Sequence, residues 1–150
     1  MKKYNQIVKH YENCLEKHGD THLGVDWPNL EHVNLRYNIM LDILSFSKSD
    51  GNISFLDFGC GTAHLLDHMT KNGFSNVMYS GLDIPKKFLA VWNGKYPETS
   101  FFCGDVLYSN FKLPAFDYIV MNGVFTEKRE LTFEMMWKYS SIVNQGLFIM

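Results

Sequence analysis

The spacing of apolar positions changes near residue 50. Before it, Ile7, Tyr11, Cys14 and Leu15 recur at helical spacing and predict a short amphipathic helix. A turn-rich stretch from His18 to Asn29 follows, rich in Gly, Asp and Pro. Asn29 is placed to cap a second helix, with His32 at the capping-box position. Leu35, Ile39, Leu41, Ile43 and Leu44 are expected to form that helix's apolar side. Residues 47–52 read as a loop by composition.

After residue 52 the pattern becomes short apolar runs alternating with helical segments. Ile53–Phe58 runs into Gly59 as a buried parallel strand would. His64–Met69 is helical and stops at Asn72-Gly73, a C-cap signal. Val77–Ile84 predicts a second strand, and Pro85 suits the first turn of a helix reaching about Gly94. Ser100–Cys103 and Phe116–Met121 predict two more strands. Glu130–Val143 reads as a further helix, with Leu131, Met135, Tyr139 and Ile142 facing inward. Leu147–Met150 begins a fifth strand. This alternation implies an α/β domain with an open, mainly parallel sheet and helices on both faces. The expected organisation is one domain over 1–150, a helical N-terminal cap over 1–50 and a core over 53–150.

Composition narrows the class. At 150 residues one domain can bury roughly 70% of its unfolded surface. The 12 Phe, 8 Tyr and 3 Trp exclude a disordered chain. A net charge of −2 gives no field favouring nucleic acid or acidic membrane, so a small-molecule partner is expected and nucleic acid is not. No run approaches about 18 apolar residues, so no membrane span is expected. The N-terminus has no apolar segment of the signal-peptide kind. Cys14, Cys60 and Cys103 are odd in number and lack metal-ligand spacing. Buried thiols in a reducing cytoplasm and no metal centre are expected. His64 and His68 lie four apart without the zincin glutamate and read as a solvated helix face.

The chemistry concentrates at the strand ends. Asp57-Phe58-Gly59-Cys60-Gly61 joins the first strand to a helix, where glycines let backbone approach a ligand. Such loops hold nucleotide-like cofactors at the carboxyl ends of parallel strands. The third glycine of a dinucleotide fingerprint is His64 here, and no Gly-Lys-Ser/Thr follows. Asp57 would repel a pyrophosphate but suits a cofactor carrying an ammonium group. Asp83 ends the second strand, where a carboxylate can accept from both ribose hydroxyls, and Ile84 could lie flat on an adenine. Asp105, after the third strand, could accept from the adenine amino group, and Asn122 falls beside the first loop. Cys60 belongs to the loop as a small filler, with nothing to depress its pKa.

In this order the strand ends resemble the class I S-adenosylmethionine-dependent methyltransferases, over roughly residues 30–150. The resemblance implies a Rossmann-like fold. It implies that Asp57, Gly59, Cys60 and Gly61 form the cofactor loop, Asp83 and Ile84 the ribose and adenine contacts, Asp105-Val106 the adenine position and Asn122 the position after strand four. His18-Gly19-Asp20, Trp27-Pro28-Asn29 and Arg36-Tyr37 are similar to a bacterial subset associated with surface-polysaccharide biosynthesis. It implies a sugar or polysaccharide precursor as acceptor. Arg36 is then a candidate for the cofactor's carboxylate, and Tyr11, His18 and Glu127 are candidate catalytic helpers. The run Asn122-Gly123-Val124-Phe125 departs from the Asn/Asp-Pro-Pro-aromatic run of nucleic-acid amino-methyltransferases.

The resembled sheet has seven strands, and this chain ends inside the fifth. The expectation is a longer natural chain, or self-association through the unpaired edge of that strand. Two other readings stay open from sequence. One is a non-catalytic S-adenosylmethionine-binding module or fragment. The other is a nicotinamide dehydrogenase, against which Asp57 and the absent third glycine argue.

Overall fold

Five of the six residues of the first strand, β1 (Ile53–Phe58), are buried, which requires neighbours on both edges and both faces. The computed structural model, which describes residues 4–46, 52–106, 112–124 and 148–149, supplies them. The sheet also contains β2 (Val77–Asp83), β3 (Ser100–Cys103), β4 (Tyr118–Val120) and β5 (Phe148–Ile149). Its order is β3-β2-β1-β4-β5, and every pairing is parallel. The chain steps from β1 to β2 to β3 on one side, then crosses back to β4 on the other. The crevice between the ends of β1 and β4 is therefore the switch point of the sheet.

Strand alternation sorts the core. Phe55 packs with Tyr79 and Val120 against Val33, Tyr37, Met40 and Leu41 of α2 (Leu30–Leu41) and Leu65 and Met69 of α3 (His64–Lys71). Leu56 and Phe58 point the other way, into a cluster with Leu82, Val106, Phe116, Ile119 and Met121. A third cluster at the strand ends joins Val25, Cys60 and Ala63 to Phe88 and Trp92 of α4 (Phe88–Lys95). Tyr11 and Leu15 of α1 (Tyr4–His18) and Trp27 pack against it, so the N-terminal segment covers the strand ends.

Several expected boundaries shift for local reasons. Asn29 caps α2, its side chain accepting from the His32 N–H at 3.0 Å. The expected apolar side of α2 is only partly correct: Leu35 is 57% and Ile39 55% exposed, while Val33, Tyr37, Met40 and Leu41 face the core. Pro85 opens a turn rather than the helix, with the Phe88 N–H donating to Pro85 O, and α4 begins at Phe88. β4 is shorter than Phe116–Met121 because Asp117 bonds the Ser54 backbone and hydroxyl. The helix expected over 130–143 lies outside the described residues. Among the described residues no helix is long and apolar enough to cross a membrane.

Candidate active site

The four strand-end segments converge on one cavity of about 260 Å³. Its floor is the glycine loop Phe58–Gly61, its walls Asp83–Pro85, Gly104–Val106 and Asn122–Val124. Tyr11, Asp26, Trp27 and Arg36 contribute from the N-terminal segment above. The loop's shape demands glycine. Gly59 has φ +78°, and a Cβ there would lie 2.7 Å from a Val124 methyl. Gly61 has φ +55°, and its Cβ would meet Val25 at 2.9 Å. Behind the loop, a Cβ on Gly81 would come within 2.6 Å of the Phe101 ring and 2.9 Å of Cys60 Sγ. Trp92 stacks on Phe101 at 4.8 Å, and its ring N–H donates to Gly61 O at 2.9 Å.

Two carboxylates lie beneath this loop. Asp57, 3% exposed, accepts from Tyr79 Oη at 2.8 Å. Burial pushes its carboxyl up to about 7; the Tyr79 bond opposes this and the Asp83 charge adds to it. Asp83 accepts from the Gly61 N–H at 2.8 Å through Oδ2 and from the Ile84 N–H at 2.7 Å through Oδ1. The protein around it raises its carboxyl to about 6 despite those bonds. Each oxygen keeps a second lone pair for a ligand donor. Asn122 Oδ1 is buried at the cavity with no hydrogen-bond partner among the described residues. A buried acceptor without a donor is costly, and a ligand donor in the cavity would satisfy it.

Ile84, Asp105 and Val106 line the cavity with them, as does Cys60. Burial raises the Cys60 thiol well above its ordinary range, which suits a small filler and not a nucleophile. Arg36 lines the cavity with its guanidinium 5.3 Å from the centre of the Trp27 ring. Tyr11 also lines it. His18 does not: it ends α1, and its carbonyl accepts from Thr21 Oγ1 at 3.1 Å. Glu127 lies outside the described residues.

The sequence reading missed what holds the roof in place. Asp20 accepts from His64 Nε2 at 2.8 Å and pairs with Lys95 Nζ at 2.9 Å. Lys95 also reaches Asp67 at 2.7 Å and Thr62 O at 3.0 Å. Burial alone would raise the Asp20 carboxyl, but bonds from His64, Thr62 and Lys95 hold it well below the usual carboxylate range. His68 Nε2 meets Asn38 Oδ1 at 2.8 Å. The two histidines therefore fasten α3 to the N-terminal segment and are not a solvated face. No local pattern in the sequence marks this latch, whose partners lie far apart in the chain.

A family described as methyltransferase domain matches residues 55–140. No curated protein matches the chain. Among solved structures, coclaurine N-methyltransferase bound to N-methylheliamine and SAH is similar with TM-score 0.66 and 13% identity, covering 99% of this chain and 51% of its own. The plantazolicin methyltransferase BpumL gives TM-score 0.55 and 17% identity over 95% of this chain and 57% of its own. A TehB-like SAM-dependent methyltransferase from Corynebacterium glutamicum gives 0.51 and 19% over 81% and 60%. At these identities the likeness establishes the fold. The chain spans only about half the length of these relatives.

Proposed function

The chain belongs to the class I S-adenosylmethionine-dependent methyltransferase family, and from that premise we propose that it binds S-adenosylmethionine in the cavity above the glycine loop and directs methyl transfer to a small-molecule acceptor. The observation that carries this reading is the convergence of Asp57, Asp83 and the unpartnered Asn122 Oδ1 at one loop. The donor set fits this cofactor. Asp83 would take the ribose hydroxyls through its remaining lone pairs. The Asp57 carboxylate would offset a nearby ammonium or sulfonium charge, and Asn122 would accept a donor. Asp105, Val106 and Ile84 would flank the adenine, and Arg36 would face the carboxylate.

When bound, the cofactor supplies a methyl group already activated on a cationic sulfur. The chain's own task is then alignment and exclusion of water. Trp27, Tyr11 and Val25 close the cavity from above, and the Asp20 latch keeps them over the strand ends. Holding two reactants in register is worth about 7–11 kcal/mol in well-oriented reactions. Tyr11 is the remaining described candidate to handle an acceptor proton, because it lines the cavity.

The acceptor we propose is a sugar or surface-polysaccharide precursor, which is what the sequence resemblance of the N-terminal block implies. Free Cys14, Cys60 and Cys103 suit a reducing cytoplasm. β5 pairs with β4 at one edge of the described sheet, and self-association through its outer edge belongs to the same proposal, checked by sedimentation equilibrium.

Isothermal titration with S-adenosylmethionine and with NAD tests the cofactor, and a screen of sugars and amines with labelled cofactor tests the acceptor. Binding of NAD in place of S-adenosylmethionine overturns the reading. Binding without transfer to any acceptor reduces it to a cofactor-binding module.

A further inference from the structure

Outside the cofactor loop, one cluster of donor atoms is built from two elements. His10 and Cys14 stand one turn apart on α1. Asp26 reaches them from beyond the short helix His22–Val25, held at φ 60° with its N–H on the His22 and Leu23 carbonyls. His10 Nε2 donates to Asp26 Oδ2 at 2.8 Å and lies 3.7 Å from Cys14 Sγ. One ligand atom from each residue falls within 4.8 Å of the others. We propose that His10, Cys14 and Asp26 form a binding site for a borderline-soft divalent cation of the zinc(II) type, at the rim of the cavity.

The donor set selects that class. Imidazole, thiolate and carboxylate are the three zinc ligands of proteins. Donors around a tetrahedral zinc ion stand about 3.4–3.8 Å apart, at bond lengths of about 2.0–2.3 Å. The 3.7 Å between His10 and Cys14 falls in that range, and the 2.8 Å between His10 and Asp26 is shorter, so the Asp26 carboxylate must draw back slightly to admit an ion. Two of the donors are acidic groups side by side, and a dication between them offsets the charge they bring when both are ionised. On binding, the Cys14 thiol proton leaves to solvent and the His10 N–H moves from Nε2 to Nδ1, so that a neutral imidazole ligates through Nε2 and the cation takes the place of the proton now shared with Asp26. Half of the His10 and Asp26 side-chain surface is open to solvent, so an ion has access. Three protein ligands leave the fourth position to water or another ligand. Asp26 lines the cavity, as does Tyr11, whose ring packs edge-on to His10 at 5.4 Å.

The test is cobalt(II) titration of the full chain under reducing conditions, read by the thiolate-to-cobalt charge-transfer absorption. The expected result is one equivalent with that absorption, displaced by zinc. The absorption should vanish in Cys14→Ser and persist in Cys103→Ser. Asp26→Asn keeps a residue that tolerates the left-handed backbone and should weaken binding at least 10-fold. If Cys14→Ser does not fold by circular dichroism, His10→Gln takes its place and should weaken binding to the same degree while retaining the absorption. No thiolate absorption in the parent protein, its persistence in folded Cys14→Ser, or unchanged affinity in His10→Gln overturns the site. Cofactor titration in the metal-free protein is a separate measurement, so failure of one proposal does not count against the other.

Discussion

Asp83 at the end of β2 holds the glycine loop at the end of β1, its Oδ2 accepting from the Gly61 N–H at 2.8 Å. A carboxylate that would take the ribose is thus also a structural tie of the loop. The other oxygen holds the Ile84 N–H at 2.7 Å.

Asp83→Ala therefore has two expected effects. Cofactor affinity should fall roughly 10-fold or more, since charged hydrogen bonds are worth about 1.5–3 kcal/mol and about 1.4 kcal/mol is tenfold. Stability should fall as well, because the Gly61 and Ile84 N–H groups lose their acceptor, and each unsatisfied group costs about 1–3 kcal/mol if water does not reach it. Calorimetric titration and denaturant melts of the same variant read the two effects separately. Unaltered cofactor affinity would remove Asp83 from the binding site.

The raised carboxyls of Asp57 and Asp83 set a pH dependence. Both are protonated below an ordinary carboxylate pKa of 3.8, in folded and unfolded chains alike. Between 3.8 and about 6 for Asp83, and about 7 for Asp57, the native state binds more protons than the unfolded state. The stability contribution of these groups falls as pH rises through that window and is flat above it. A cationic cofactor favours the ionised pair, so its affinity should rise across the same window, with proton release on binding. Titrations at about pH 5 and about pH 8, in two buffers of different ionisation enthalpy, measure both. Tyr79→Phe removes the donor that steadies the Asp57 carboxylate and should move the affinity rise to higher pH. Cofactor affinity flat from about pH 5 to about pH 8 would contradict this.

Gly61 separates steric from conformational cost. At φ +55°, with its Cβ position 2.9 Å from Val25, Gly61→Val must displace the short helix that roofs the cavity. Binding should be lost. Gly73 has φ +79° but nothing within 4 Å, so Gly73→Ala should cost only about 1–2 kcal/mol of backbone strain and leave affinity unchanged. Adding Val25→Ala to Gly61→Ala should recover part of the lost affinity, because the obstructing methyl is gone. Equal binding by Gly61→Val and Gly73→Ala would leave the loop a purely structural turn.

What the sequence disclosed follows from how local each cause is. β1 has the expected bounds because a strand buried in a parallel sheet is an apolar run with an abrupt glycine end. β3, a partly buried edge strand, also has the expected bounds, ending just before Gly104. The loop after β1 and the acids Asp57 near the end of β1, Asp83 at the end of β2 and Asp105 just after β3 are legible because each sits at a strand end the run itself marks. Leu35 and Ile39 misled because their helical spacing is as good as that of Val33 and Tyr37, and only the sheet's position decides which face turns in. The latch was illegible. Asp20 and Lys95 meet although α2, β1, α3 and β2 lie between them in the chain, and no periodicity or turn preference encodes that encounter.

That latch yields the last prediction. The Asp20 and Lys95 side chains are 32% and 24% exposed, so solvent screens their attraction less than at an open surface. Asp20 holds α3 through His64 and α4 through Lys95, while the rest of its segment is held by the apolar contacts of Tyr11, Leu15, Val25 and Trp27. Asp20→Asn keeps the shape of the side chain and removes the charge, leaving Lys95 with Asp67. The sheet should therefore survive, while residues 4–29 detach more often. Amide exchange should speed up in α1 and the short helix His22–Val25 and stay unchanged in β1 and β2. Cofactor affinity should fall several-fold through the lost roof, more strongly at low salt, where the parent's latch is tightest. Because the Asp20 carboxyl is held low, its contribution is full above an ordinary carboxylate pKa and is lost only as pH falls through its folded value. The parent and the variant should thus differ across the neutral range and converge in strong acid. Equal exchange in α1 of both proteins at neutral pH would show that the apolar contacts of Tyr11, Leu15 and Trp27 hold the roof without the latch.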